Sequence, residues 1–132
     1  MNKEVVEHNY GRNGDRPGFY HYRQNNSGGS FDVNDTVTVN VYIEANSGAD
    51  ADSKAEEIGI QFNQGCPCCG DQWYQKYGDE PDYASVEEIE AYLEQCNAEP
   101  KGFYRADYWV KKGEPYAIIY DKFGMKHIYR KE

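Results

Sequence analysis

No stretch of this 132-residue chain stays apolar for long enough to cross a membrane as a helix. Met1 is followed by Asn2-Lys3-Glu4 and not by an apolar leader, so the expectation is a soluble, cytoplasmic protein. Catalytic signatures are equally scarce. The chain has no Gly-x-Ser-x-Gly elbow, no His-Glu-x-x-His and no Walker lysine, and His8, His21 and His127 stand apart. Asp79-Glu80-Pro81-Asp82 reads as an acidic loop rather than an acid/base pair. Ser27-Gly28-Gly29-Ser30 leads into Phe31-Asp32-Val33 and a strand, not into a helix whose amides converge on a phosphate. These absences point away from an enzyme. Internal repeats are missing too, and the length suits one domain.

Basic residues are scarce where they would matter for nucleic acid. Residues 44–99 hold fourteen acids against two bases, leaving that segment at −12, while the remaining nine acids and twelve bases leave the rest at +3. A segment this acidic repels phosphates, so direct DNA or RNA binding is disfavoured. It suits a basic protein surface, or simply serves as a solvated face. Nothing in the sequence decides between a monomer and a homo-oligomer.

What the chain has in quantity is tyrosine: thirteen of its twenty aromatic rings. With a mean hydropathy of −0.97, that predicts a small core edged by rings with polar tips.

Local patterns predict the elements. Residues 1–18 carry many breakers and no apolar period, and read as a flexible N-terminal arm before one domain over 19–132. Phe19–Arg23 alternates like a short strand. Between Thr36 and Ala45, the residues Val37, Val39, Val41, Ile43 and Ala45 share one face, the period of a half-buried strand. Ala51, Ala55 and Ile58 mark a helix stopped by Gly59, and Ile60 and Phe62 begin another extended piece. Ser85-Val86-Glu87-Glu88 is a capping box opening a second helix with Val86, Ile89, Leu93 and Cys96 on one face, stopped by Pro100-Lys101-Gly102. Phe103–Val110, Tyr116–Tyr120 and Met125–Arg130 read as three strands with hairpin-like connections. The fold expected is α+β: an antiparallel sheet of about five strands with two helices packed on one face.

Three of the four cysteines fall within Cys66-Pro67-Cys68-Cys69-Gly70, a knuckle-like turn that aims two thiolates at one point. A structural zinc held by Cys66, Cys69 and two of Cys68, Cys96 and His127 is one reading. The usual second cysteine pair is missing, however, and Cys96 shares the apolar helical face of Ile89 and Leu93. A redox pair is the weaker alternative, because no helical period follows the motif and Asp71 disfavours a thiolate. His127 alternates with Met125 and Tyr129 as a sheet histidine would.

Two binding surfaces can be read from the residues. The acidic one is centred on Glu87, Glu88, Glu90 and Glu94. The aromatic one includes Tyr20 and Tyr22 with Tyr104, Tyr108, Tyr116, Tyr120 and Tyr129, rings able to stack a nucleotide-type ligand or simply to fill a thin sheet.

The block Phe19-Tyr20-His21-Tyr22-Arg23-Gln24-Asn25-Asn26-Ser27-Gly28-Gly29-Ser30-Phe31, and the run Ala55–Ile60 leading to Cys66-Pro67-Cys68-Cys69-Gly70-Asp71-Gln72-Trp73, resemble a family of small uncharacterised proteins of tailed bacteriophages. The resemblance spans roughly residues 19–73 and brings no catalytic residues. It implies a phage accessory protein acting in the host bacterial cytoplasm. By class, such proteins bind and modulate a host protein, including components of antiviral defence. Sequestration of a small nucleotide-type ligand is the alternative, and thiol oxidoreduction a third.

Overall fold

The computed structural model describes residues 3–7, 18–25, 31–62, 65–66, 70–76, 78, 80–98 and 110–132. In chain order the elements are β1 (Lys3–Glu7), β2 (Gly18–Arg23), β3 (Asn40–Ala45), α1 (Gly48–Glu57), β4 (Gly65–Cys66), β5 (Gly70–Asp71), α2 (Val86–Ala98), β6 (Pro115–Tyr120) and β7 (Met125–Arg130). Five strands form one open sheet in the order β1-β7-β6-β3-β2, and β4 and β5 form a separate small hairpin. The fold is α+β with five strands and two helices, as the patterns predict.

Its assembly differs from expectation in two respects. The sheet is mixed: β3 and β6 run parallel, Val41 beside Ile118 and Ile43 beside Tyr120, whereas the other neighbours are antiparallel. The long connection carrying both helices returns the chain to the end of the sheet where β3 began, and a parallel pair follows from that crossover. The helices also cover opposite faces. Ala51 and Ala55 of α1 pack with Tyr20, Tyr22, Val41, Ile43, Ile118 and Tyr120. Ile89 and Leu93 of α2 pack with Phe19, Tyr42, Ala117, Ile119 and Tyr129. The physical reason lies in β6, where all six residues are buried. A strand apolar on both sides needs cover on both sides.

The boundaries carry local causes. Ser47 caps α1 by accepting the Asp50 amide at 3.0 Å. Gly59, at φ 103, takes the left-handed position that ends that helix. Asn34 accepts the amides of Thr36 and Val37, a side-chain turn that delays β3 until Asn40 instead of Thr36. Gly124, at φ 82, closes the β6–β7 hairpin, where Asp121 accepts the amides of Phe123 and Met125. Ile60 and Phe62 are buried but belong to no strand.

The N-terminal segment needs a correction. Residues 3–7 are not part of a loose arm: they form β1, an edge strand paired along β7. Val5 and Val6 are adjacent and so point to opposite faces, which hides any period of two. Residues 1–2 and 8–17 lie outside the described residues. So do the expected helix stop at Pro100-Lys101-Gly102 and the expected strand Phe103–Val110 apart from Val110, which is buried.

Candidate interaction surface on helix α2

Helix α2 begins as its sequence dictates. Ser85 Oγ accepts the Glu88 amide at 3.2 Å, and Glu88 Oε2 accepts the Ala84 amide at 2.6 Å. Glu87 and Glu88 sit in the first turn, where the helix dipole favours acids, and no base occupies the last turn. Ile89 and Leu93 are completely buried against the sheet, each contributing roughly 2 kcal/mol of apolar burial.

On the flank of the helix, Glu87, Glu90, Ala91 and Glu94 line an open cavity of about 320 Å³ together with Lys3 of β1. Glu90 anchors this groove. Its Oε2 accepts Lys3 Nζ at 3.0 Å and the Tyr129 hydroxyl at 2.7 Å. Burial pushes the Glu90 carboxyl up, but the two hydrogen bonds and the Lys3 charge outweigh it and hold the group below the ordinary carboxylate range. Burial and Glu90 together push the Tyr129 phenol well up, so it stays a donor. The Lys3 ammonium also lies 5.7 Å from the centre of the Tyr129 ring. Among the described residues, Glu87 and Glu94 have no ion-pair partner. Three of the four expected glutamates therefore converge, while Glu88 is diverted into the cap.

The aromatic surface is not where the sequence placed it. Tyr20 and Tyr22 are core residues, 1% and 2% exposed. The Tyr22 hydroxyl donates to Asp52 at 2.7 Å, which also accepts the Lys76 amide. Tyr116, Tyr120 and Tyr129 are buried too, which removes all five rings from stacking with a ligand. Tyr104 and Tyr108 lie outside the described residues.

A different aromatic cluster forms beside α2. His21 stacks on Tyr42 with ring centres 4.4 Å apart and planes 10° from parallel, and Tyr83 meets Tyr42 edge-on at 5.7 Å. Tyr92 packs on Tyr83, and its hydroxyl is hydrogen-bonded to Cys96. That bond and burial push the Tyr92 phenol up to about 12. Cys96 is half-buried on α2.

Of the cysteine motif, Cys66 lies in β4 opposite Gly70 of β5. Cys68 and Cys69 lie outside the described residues. Among the described residues no group of three or more His, Cys, Asp or Glu side chains could hold a metal ion. The residues just after the motif are anchored in the fold. Trp73 is buried with Tyr20 and Tyr22 on the α1 face, opposite the face that α2 covers. Asn25 donates through its amide to the Gln72 carbonyl and through its side chain to the Asp71 carbonyl. Gln72 Nε2 bridges Gln24 Oε1 and Asp32 Oδ2. The two sequence blocks that stand out in the chain thus meet in space.

Sequence reasoning missed Lys3, which meets Glu90 across 87 positions with no local signal. It also missed the Asp121–His127 pair at 2.8 Å beside the hairpin turn. His127 Nδ1 is buried and has no hydrogen-bond partner among the described residues.

The geometry defines an open, mixed five-stranded α+β sheet with a helix on each face and an acidic groove between α2 and an edge strand. The chain belongs to the family described as a domain of unknown function (DUF7296), whose model matches residues 17–131. No curated protein and no solved structure matches it.

Proposed function

We propose that the protein is a non-enzymatic binding module whose α2 groove receives a basic segment of a partner protein. The observation that carries this reading is the convergence of Glu87, Glu90 and Glu94 around an open cavity of about 320 Å³. Among the described residues Glu87 and Glu94 have no ion-pair partner, and a net charge of −9 adds a long-range field that attracts cations and repels phosphate backbones. A lysine or arginine entering the groove meets two carboxylates already held in place by the helix. Given the resemblance to phage proteins, the partner in this reading is a host protein, with antiviral defence components among the candidates. Burial of Tyr20, Tyr22, Tyr116, Tyr120 and Tyr129 takes those five rings from the stacking surface of the nucleotide-sequestering alternative, while Tyr104 and Tyr108 lie outside the described residues.

An array of lysine- and arginine-rich host-protein segments tests the proposal, probed with the wild-type chain and with the double reversal Glu87→Lys/Glu94→Lys. The wild type retains a subset of segments with an affinity that falls as salt rises, and the reversal weakens them roughly tenfold or more. Equal binding by both proteins refutes the acidic groove.

A further inference from the structure

Strand β1 lines the groove through Lys3 and is at the same time the outermost strand of the sheet. It pairs with β7 from Lys3 opposite Tyr129 to Glu7 opposite Met125, with Lys3 delivered to Glu90. The family match begins at residue 17, so β1 lies before the matched residues. Ten residues, 8–17, separate it from β2. It is also poorly covered, with Val5 46% and Val6 39% exposed. A second ion pair, of Glu4 with Arg130 at 2.8 Å, is half exposed on the Glu4 side. Exposed pairs of this kind contribute little.

From this we infer that the outer edge of β7 with the flank of α2 is a strand-accepting site, occupied in cis by β1 and open to exchange. Its ligand is an extended segment of a partner protein with a lysine or arginine at the Lys3 register and apolar residues two and three positions further on, where β1 has Val5 and Val6. This deepens the proposed function and rests on it: the basic segment binds as an added strand. Main-chain bonds to β7 hold it, and the Glu87–Glu90–Glu94 groove reads its cation. The cis strand sets the threshold, since a short tether holds it at a millimolar-scale effective concentration that a partner must exceed. The occupant is a foreign strand rather than a second copy, because two chains of net charge −9 repel.

The experiment uses the full chain and a capped peptide of residues 2–8 as the probe. Amide hydrogen exchange on β1 and peptide affinity are read together. Two further probes carry N-methyl groups on alternate residues, one set on each edge of the strand, leaving side chains and charge intact. The expected result is millimolar binding that strips protection from the β1 amides of the protein. N-methylation of one edge abolishes it and of the other edge does not. Lys3→Ala in the chain, which loosens the cis strand, tightens the probe roughly three- to tenfold. Glu87→Lys/Glu94→Lys weakens it. Binding that ignores both N-methyl sets, or leaves β1 protected, overturns strand exchange while leaving a charge-driven groove intact. No binding by either the wild type or Lys3→Ala overturns it as well. A dimer that exchanges β1 between copies at micromolar protein also overturns it, since the occupant is then a second copy. Loss of charge dependence in the segment array is a separate result, and refutes the groove itself.

Discussion

Lowering the pH from 8 to 5 acts on a half-buried ring on the α2 face, His21. His21 stacks on the Tyr42 ring with Tyr83 edge-on to it, and its Nε2 donates to Asn40 Oδ1 at 2.8 Å in the neutral form. Burial brings its pKa down from 6.5 to about 4, with Lys76 and Arg23 adding to the fall and Asn40 and Asp82 opposing it. The unfolded chain therefore takes up a proton near pH 6.5 that the folded chain refuses until about pH 4. Stability from this group is complete above pH 6.5 and is lost as pH falls through that window. The gap of the two values corresponds to roughly 3 kcal/mol in full, of which about 2 kcal/mol is gone by pH 5. Glu44 works in the opposite sense. Burial raises its carboxyl pKa, so its contribution improves as pH falls. Comparison with His21→Phe removes that term, because Glu44 is common to both proteins. The phenyl ring keeps the stack on Tyr42 and gives up the Asn40 bond, a pH-independent cost of about 1 kcal/mol. Urea denaturation at pH 8 and pH 5 should show the wild type ahead by about 1 kcal/mol at pH 8 and behind by about 1 kcal/mol at pH 5, a change of roughly 1 M in midpoint difference. A stability difference that is flat over this range, or an imidazole titrating near 6.5 by NMR, refutes the neutral ring.

Tyr22→Phe removes the donor to Asp52 from the core, and should destabilise by about 1–3 kcal/mol in chemical denaturation while leaving segment binding unchanged. Ser85→Ala deletes the cap of α2 and should cost about 1 kcal/mol, read as a lower melting temperature. Glu90→Gln keeps the shape of the groove but gives up the charge that Lys3 and Tyr129 share. It should speed hydrogen exchange at β1 while barely altering exchange at β6.

The parts of the fold legible in the chain were those governed by neighbours a few positions apart. The Ser85–Glu88 cap, the left-handed Gly59 and the alternation of Val41 and Ile43 all follow from spacing alone. Strand order and helix placement depend on distant partners. The continuous run Tyr116-Ala117-Ile118-Ile119-Tyr120 already signals burial on both faces, and with it a helix layer on each side. Tyrosine misled for a related reason. A phenol tip suggests a surface, yet Tyr22 and Tyr129 satisfy their hydroxyls on buried or half-buried carboxylates, and Tyr120 on the Thr36 carbonyl. The acidic groove was half legible: the glutamate spacing on α2 is local, whereas Lys3 arrives from the far end of the chain.

The parallel seam between β3 and β6 has a kinetic consequence. The β6–β7 hairpin forms between residues close in sequence, and β2 with β3 needs only a modest loop. The seam must bring together positions as remote as Thr38 and Pro115, which are 77 apart and joined by the Thr38 hydroxyl to the Pro115 carbonyl. Everything between them, both helices and the cysteine hairpin, belongs to the loop that this closure traps. The entropy of that closure precedes most of its reward, so the middle of the sheet sets the folding rate. Lengthening the loop should slow folding more than it lowers stability. Until the seam closes, both apolar strands keep an open edge, and the nascent chain is then most exposed to misassembly.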